Sequence, residues 1–227
     1  MQAAFWLERW QNQETGFHQS STHPWLVEFF QHLSDDPSNQ NRPSKVFVPL
    51  CGKSLDMVWL AGQGCSVVGV ELAESAVQAF FAEQQLSADL HTADQLTAYQ
   101  HDPFTLWQGD FFALNPAHLA GASCFYDRAA LVALPPSMRQ AYVAHLSQLL
   151  PAQARGLLIT FDYDQNTVEG PPFAVPEAEL KQLYAGWYLT HLASRELISD
   201  SPKFSAQGLQ SFVEHCWLLQ RDTFSHK

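Results

Sequence analysis

Residues 46–72 read VFVPLCGKSLDMVWLAGQGCSVVGVEL, and the fold follows from how this stretch is parsed. Val46, Phe47, Val48, Pro49 and Leu50 form an apolar run long enough for a strand buried on both faces and too short for a helix. Pro49 has no N–H to give a sheet, so it belongs at the strand's exit. Gly52 allows a turn. Ser54 then caps a helix from Leu55 to Gly62, its hydroxyl accepting a free N–H of the first turn, with Leu55, Val58, Trp59 and Gly62 on the packed face. Val67, Val68, Gly69 and Val70 make a second buried strand. Glu71 follows at the sheet's carboxyl edge, where a carboxylate can accept both hydroxyls of a ribose.

Other readings of this unit compete. Gly52-Lys53-Ser54 ends like a phosphate-binding loop, but Phe47 stands where that motif needs its first glycine, which excludes it. A dinucleotide site carries GxGxxG, whose second glycine lets the backbone approach a pyrophosphate; LCGKSL lacks it and points to a cofactor without one. The plain alternative is a βαβ unit whose glycines only turn the chain and whose Glu71 is solvated.

Outward from this stretch the pattern repeats. Towards the N-terminus, residues 5–11 suit a short amphipathic helix whose tryptophans pack on the body or over a ligand. Residues 16–24 form a loop, where His18 and His23 are expected to hydrogen-bond within the loop rather than act as bases, and Pro24 to Leu33 form a covering helix. Residues 34–44 are a polar linker. Beyond Glu71, a helix is expected over Glu74–Gln85, a loop with at most a short helix over 87–102, and a strand over Phe104–Gln108 ending in Gly109-Asp110. Cys124, Phe125 and Tyr126 make a short strand ending in Asp127-Arg128. A helix runs from Pro135 to Leu150, and GLLITF (156–161) is a strand followed by Asp162. GPPFAVP (170–176) is a stiff apolar loop, and a helix over 177–184 follows it. The alternating runs 187–193 and 212–220 read as an antiparallel edge hairpin. Charged residues thus end four strands on one rim: Glu71, Asp110, the Asp127-Arg128 pair and Asp162.

Composition bounds the rest. A chain of 227 residues that is 46% apolar suits a single α/β domain, divided here into a helical cover and linker (1–44) and a Rossmann-like sheet domain (45–227). With 12 basic against 23 acidic residues the net charge of −11 opposes nucleic-acid binding. Cys51, Cys65, Cys124 and Cys216 are scattered without a CxxC pair, so neither a metal site nor a disulfide framework is expected, and free thiols suit the cytoplasm. MQAAFWLERW lacks the apolar run of a signal peptide, and no stretch reaches the length of a membrane helix. No uncovered apolar helix face stands out, which favours a monomer.

The motifs WLERW, GFHQ, FVPLCGKSLDM, GVEL, GDFF, YDRAALVALPP and GPPF together resemble the thiopurine S-methyltransferase family, within the class I methyltransferases that use S-adenosylmethionine. The resemblance runs from Trp6 to the final strand. PLCGKS replaces the commoner acidic-x-Gly-x-Gly signature of the class, a departure characteristic of this family. It implies a doubly wound, mostly parallel seven-stranded sheet with an antiparallel edge hairpin. It also implies transfer of a methyl group from S-adenosylmethionine, leaving S-adenosylhomocysteine, to an aromatic or heterocyclic thiol such as a thiopurine, and in bacterial members to selenium or tellurium species.

Carried over by motif, the cofactor contacts are Trp10, Phe17, Leu50, Gly52, Glu71, Gly109, Asp110 and Arg128. Glu71 takes the ribose, Leu50 and the Cys51-Gly52 backbone pass the methionine portion, Asp110 accepts from the adenine amine, and Trp10 closes over the sulfonium. Displacement by a thiolate needs positioning and water exclusion more than acid or base, so a nearby cation helps. Arg128 is the first candidate, its other roles being an ion pair with Asp127 or with the cofactor carboxylate, and Lys203 is the second. Phe17, Phe111, Phe173 and Phe204 are expected to line the acceptor pocket. Segments 1–23, 163–176 and 199–207 are expected to converge on the rim as a lid. An NAD-dependent oxidoreductase and a non-catalytic small-molecule binding protein are the alternatives.

Overall fold

The computed structural model describes residues 3–12, 14, 18–34 and 43–221. Nine strands, β1 (Lys45–Val48), β2 (Ser66–Glu71), β3 (Asp89–Ala93), β4 (Leu96–His101), β5 (Phe104–Gln108), β6 (Cys124–Asp127), β7 (Arg155–Asp162), β8 (Trp187–Glu196) and β9 (Val213–Arg221), form one sheet. Its order is β3-β4-β5-β2-β1-β6-β7-β9-β8. The five central strands, β5 to β7, are parallel, and both edges are antiparallel.

The elements expected around Glu71 are present. Ser54 caps α3 (Leu55–Gly62), its side chain accepting from the Asp56 N–H. The packed face differs: Met57 and Leu60 are fully buried, while Val58 and Trp59 are half-covered. The helix is held from two sides, by the sheet and by the N-terminal cover, whose Phe30 ring meets Trp59 edge-on at 5.2 Å. That cover is α2 (Pro24–Phe29) followed by one 3-10 turn, Phe30–Leu33. His23 caps it and Pro24 occupies the first helical position.

α2, α3 and α4 (Glu74–Glu83) pack on one face of the sheet through Leu26, Met57, Val77 and Phe80. α5 (Pro136–Leu149) and α6 (Glu177–Leu183) cover the other through Tyr142, Leu146 and Leu180. α1 (Ala3–Gln11) lies outside α4, with Trp10 against Ala73 and Ala76. The short α7 (Pro202–Ala206) sits in the insert between the last two strands. The four cysteines are buried. No helix among the described residues is long and apolar enough to cross a membrane.

Two strands more than the expected seven come from residues 87–102. This segment forms the β3–β4 hairpin rather than a loop, pairing Asp89 with Gln100 through Ala93 with Leu96. Its outer strand, DLHTA, is almost wholly exposed, so burial leaves no apolar alternation to read. Its turn, Asp94-Gln95, has no glycine: Asp94 itself takes φ +55°, which aspartate tolerates by hydrogen-bonding locally. Residues 35–42 of the expected linker lie outside the described residues.

The sheet's centre leaves no spare volume. A Cβ on Gly156 of β7 would stand 2.1 Å from the Phe125 ring, and that ring is fully buried. Gly156→Ala is therefore expected to destabilise the fold by about 1–3 kcal/mol, as overpacking does, measured as a lowered urea midpoint at unchanged m-value. An unchanged midpoint would contradict the packing.

Candidate active site

The carboxyl ends of β1, β2 and β5 meet around one side chain. Glu71, 7% exposed, ends β2. Its Oε2 accepts the Gly52 N–H at 3.0 Å and its Oε1 the Ala73 N–H at 2.8 Å, while its backbone carbonyl accepts the Gly109 N–H at 2.9 Å. One residue thus ties the turn after β1, the start of α4 and the turn after β5. The Ala73 amide is an N-terminal helix donor with no side-chain cap, so the carboxylate serves as one from the strand below. Burial pushes the Glu71 carboxyl up, and the amide donors of Ala73, Gly52 and Leu72 pull it back.

The β1 turn needs unusual backbone. Leu50 takes φ +47° and Gly52 φ +52°, and the Cys51 N–H returns to the Val70 carbonyl at 2.9 Å. A Cβ on Gly52 would lie 3.0 Å from the Trp10 ring. Trp10 therefore lies directly on the Gly52 turn. Phe17 lies outside the described residues.

At the end of β5, Gly109 has φ +141°, and a Cβ there would meet Leu96 of the added hairpin at 2.5 Å. Asp110 is exposed and caps the following 3-10 turn, accepting from the Phe112 N–H at 3.0 Å. Beside it an open depression of about 320 Å³ is lined by Asp94, Gln95, Asp110, Phe112 and Ala113. Phe111 does not belong to it. Its ring is buried in the core against Tyr142, at 4.9 Å, and His145, at 5.1 Å. The neighbouring Phe112, 40% exposed, takes the outward place that Phe111 was expected to hold.

The Asp127-Arg128 pair separates: Asp127 is the last residue of β6 and Arg128 stands in the bend that follows it. Asp127 turns into the α5 side, accepting from the Tyr142 hydroxyl at 2.7 Å and the Ala130 N–H at 2.9 Å. Arg128 turns towards α3 instead of pairing with its neighbour. Its Nε contacts Asp56 Oδ2 at 2.7 Å, and its Nη2 donates to Ser54 Oγ at 3.2 Å. Among the described residues its Nη1 makes no hydrogen bond. Asp56 is 1% exposed, and nothing in the spacing of the sequence singles it out beyond an acid in the first turn of a helix. His18 stands in the same field: burial and the Lys53 and Arg128 cations lower its pKa, against Glu83 and Asp56.

Lys203 and the GPPF loop form a separate cluster. Tyr163, Phe204, Phe212 and Phe161 pack ring on ring and hold the loop after β7 to the insert. The Tyr163 hydroxyl donates to the Pro172 carbonyl at 2.6 Å, and the Phe173 N–H donates to Val132 at 2.7 Å. Exposed Lys203 lines an open cavity of about 280 Å³ with Thr167, Glu169, Gly170, Pro171, Phe204 and Gln207. Of the four phenylalanines expected in one pocket, Phe173 and Phe204 belong to this region, Phe111 to the core. Two of the three expected lid segments are thus one packed unit. Asp162 is exposed at the end of β7.

A model of the thiopurine S-methyltransferase family matches residues 1–222. The chain belongs to that family. A thiopurine S-methyltransferase of Pseudomonas paraeruginosa is 47% identical over 222 residues, covering 97% of this chain and 100% of its own length. One of Pseudomonas putida is 46% identical over 221 residues, covering 97% and 100%. Among solved structures, the 1,6-didemethyltoxoflavin-N1-methyltransferase of Burkholderia thailandensis, bound to S-adenosylhomocysteine, superposes with a TM-score of 0.63 at 16% identity, covering 96% of this chain and 86% of that one. That likeness shows the fold. Family membership carries the enzyme class, S-adenosylmethionine-dependent methyl transfer. The residues at the β1–β2 edge fit such a ligand: each Glu71 oxygen accepts one N–H and keeps acceptor capacity for a hydroxyl.

Burial pushes Asp127 up from 3.8 to about 6, against the hydrogen bonds from Tyr142, Ala130 and Leu131. An acid whose pKa rises on folding binds more protons in the folded state between about pH 4 and 6, so its contribution to stability is lost as pH rises through that window. Asp127→Asn is expected to flatten the fall in melting temperature across it. Parallel profiles for wild type and variant would remove Asp127 from the acid response.

Proposed function

We propose that the protein transfers the methyl group of S-adenosylmethionine to the sulfur of aromatic or heterocyclic thiols such as thiopurines, with soft selenium and tellurium species as further acceptors. The observation that carries the cofactor half is Glu71, a nearly buried carboxylate anchored by the amides of Gly52 and Ala73 at the end of β2. When bound, S-adenosylmethionine supplies a methyl group activated on a sulfonium.

The remaining work falls to the chain. Glu71 receives the ribose hydroxyls. The Leu50–Gly52 turn and Trp10 enclose the sulfonium side, where an aromatic face favours positive charge. Asp110 stands at the open depression, suited to an exocyclic amine. Arg128 faces the ligand with its remaining N–H edge, held in place beforehand by Asp56 and Ser54. A cation fixed before the ligand arrives costs little reorganisation, and it favours either the cofactor's carboxylate or an acceptor thiolate. Lys203 and Phe204, beside the GPPF loop, form the acceptor side of this reading. A dinucleotide is disfavoured, since Lys53 and Ser54 fill the positions where a pyrophosphate needs bare backbone.

Calorimetric titration with S-adenosylhomocysteine tests the cofactor half. Glu71→Ala is expected to weaken binding about a hundredfold or more, the loss of two hydrogen bonds to a charged acceptor. Circular dichroism must accompany it, because the variant also strips two amides of their acceptor. No binding by folded wild type would overturn the reading.

Arg128→Ala is expected to lower the rate of methyl transfer to a thiopurine at least about tenfold. A loss confined to cofactor affinity assigns Arg128 to the cofactor, and a loss in kcat assigns it to the acceptor. Unchanged kinetics in a folded variant would remove it from the site. Turnover with thiopurine, selenite and tellurite separates the acceptors, and binding without turnover of any would leave a binding protein.

A further inference from the structure

The rim arginine is held by a chain of contacts that starts on the far side of the sheet. Glu214 lies on β9, three strands from β1 and so about 14 Å away across the sheet. The residue is 5% exposed. One carboxylate oxygen takes Arg195 Nη2 at 2.6 Å and the other takes His23 Nε2 at 3.1 Å. His23 Nδ1 accepts the Trp25 N–H at 3.2 Å. The Trp25 contact uses Nδ1 as acceptor, which leaves Nε2 to donate to Glu214. The His23 backbone N–H donates to Asp56 Oδ1 at 2.8 Å, and Asp56 Oδ2 meets Arg128 Nε at 2.7 Å.

A helix cap alone accounts for His23 Nδ1. It does not account for Nε2, which reaches a buried carboxylate 191 residues away. With both ring nitrogens committed, the imidazole cannot rotate, and the backbone amide attached to it is fixed against Asp56. Asp56 Oδ1 takes this amide and Oδ2 faces the guanidinium, with the buried Tyr126 hydroxyl beside the same carboxylate. Arg195 closes the outer end, its guanidinium 5.3 Å over the Trp25 ring.

We propose that His23 and Glu214 are positioning residues for Arg128, so that the antiparallel edge of the sheet sets where the rim cation points. The proposal rests on the reading of Arg128 as the ligand-facing cation. Neither residue touches cofactor or acceptor; both act through Asp56. A small displacement of a positioned group is enough to slow a reaction, since near-attack geometry tolerates little error.

The test reads Arg128 directly. In nitrogen-15 spectra the Arg128 Nε–H, identified by its loss in Arg128→Lys, is expected to exchange slowly with solvent. Glu214→Ala should speed that exchange at least tenfold, while Glu214→Gln, which keeps an acceptor for His23, should not. Arg139 is the internal control: its Nε donates to Leu134 at 3.0 Å on the opposite face, and its exchange should stay unchanged. If Glu214→Ala does not fold, His23→Phe breaks the same chain from the cover segment. In turnover with a thiopurine, Glu214→Ala should lower kcat about three- to tenfold in the wild-type background and have no further effect in Arg128→Ala.

Unchanged Arg128 exchange in a folded variant overturns the proposal, and so does equal acceleration at Arg139, which signals general loosening. Failure of wild type to bind S-adenosylhomocysteine would instead sink the methyltransferase reading, and the exchange measurement would still decide whether the far edge positions Arg128.

Discussion

The site depends on one buried negative charge meeting free backbone amides. Removing a carboxylate from water costs several kcal/mol unless donors replace the lost solvent. Glu71 finds them in Gly52 and Ala73, which belong to the two loops that must be placed for a ligand to sit between them. The same bonds therefore fix the turn after β1, start α4 and orient the carboxylate. Binding geometry and loop geometry cannot be separated here. A substitution that removes the ribose acceptor also leaves two amides without partners, each costing about 1–3 kcal/mol if they stay buried.

Three further carboxylates, Asp56, Asp127 and Glu214, are each buried, and each faces different partners. Asp127 has a phenol and backbone amides but no cation, and its pKa climbs to about 6. Glu214 has an arginine and a histidine, and its pKa falls in spite of burial. Asp56 has an amide and an arginine. A charge facing only neutral donors approaches the pH at which it gives up ionisation; one facing a cation keeps it. Asp127 holds a turn through its amides, and Asp56 faces a guanidinium.

What could be read from the sequence follows the same physics. The central strands were legible because burial on both faces demands unbroken apolar runs, as in VFV and SVVGV, and the turn after them because Pro49, Gly52 and Ser54 each exclude other conformations. Glu71 was legible because its place at a strand's end is fixed by that parsing. The β3–β4 hairpin was not, since an exposed edge strand is free to be polar and Asp94 supplies the positive φ that a glycine would have advertised. Phe111 and Phe112 are alike in sequence; only the 3-10 turn capped by Asp110 decides which faces the core. Asp127-Arg128 invited an ion pair by adjacency, but Asp127 is taken by Tyr142 and Ala130 and Arg128 by Asp56 and Ser54.

Contacts of long sequence separation were the least legible, because no local rule encodes them. His23 meets Glu214 only once the cover helix has packed over β6, β7 and β9 on one face, and Arg128 meets Ser54 only once β6 lies beside β1. The apolar stripe of Trp25, Leu26, Phe30 and Leu33 makes that crossing favourable, and it does so without specifying a direction. Direction comes from the polar end: His23, immediately before the stripe, can be buried only where both ring nitrogens find partners. The Trp25 amide travels with the cover, and Glu214 supplies the second partner at one location. The hydrophobic face thus provides the driving force for docking the cover, and the histidine selects the register in which it docks, which is also the register that brings its backbone amide to Asp56.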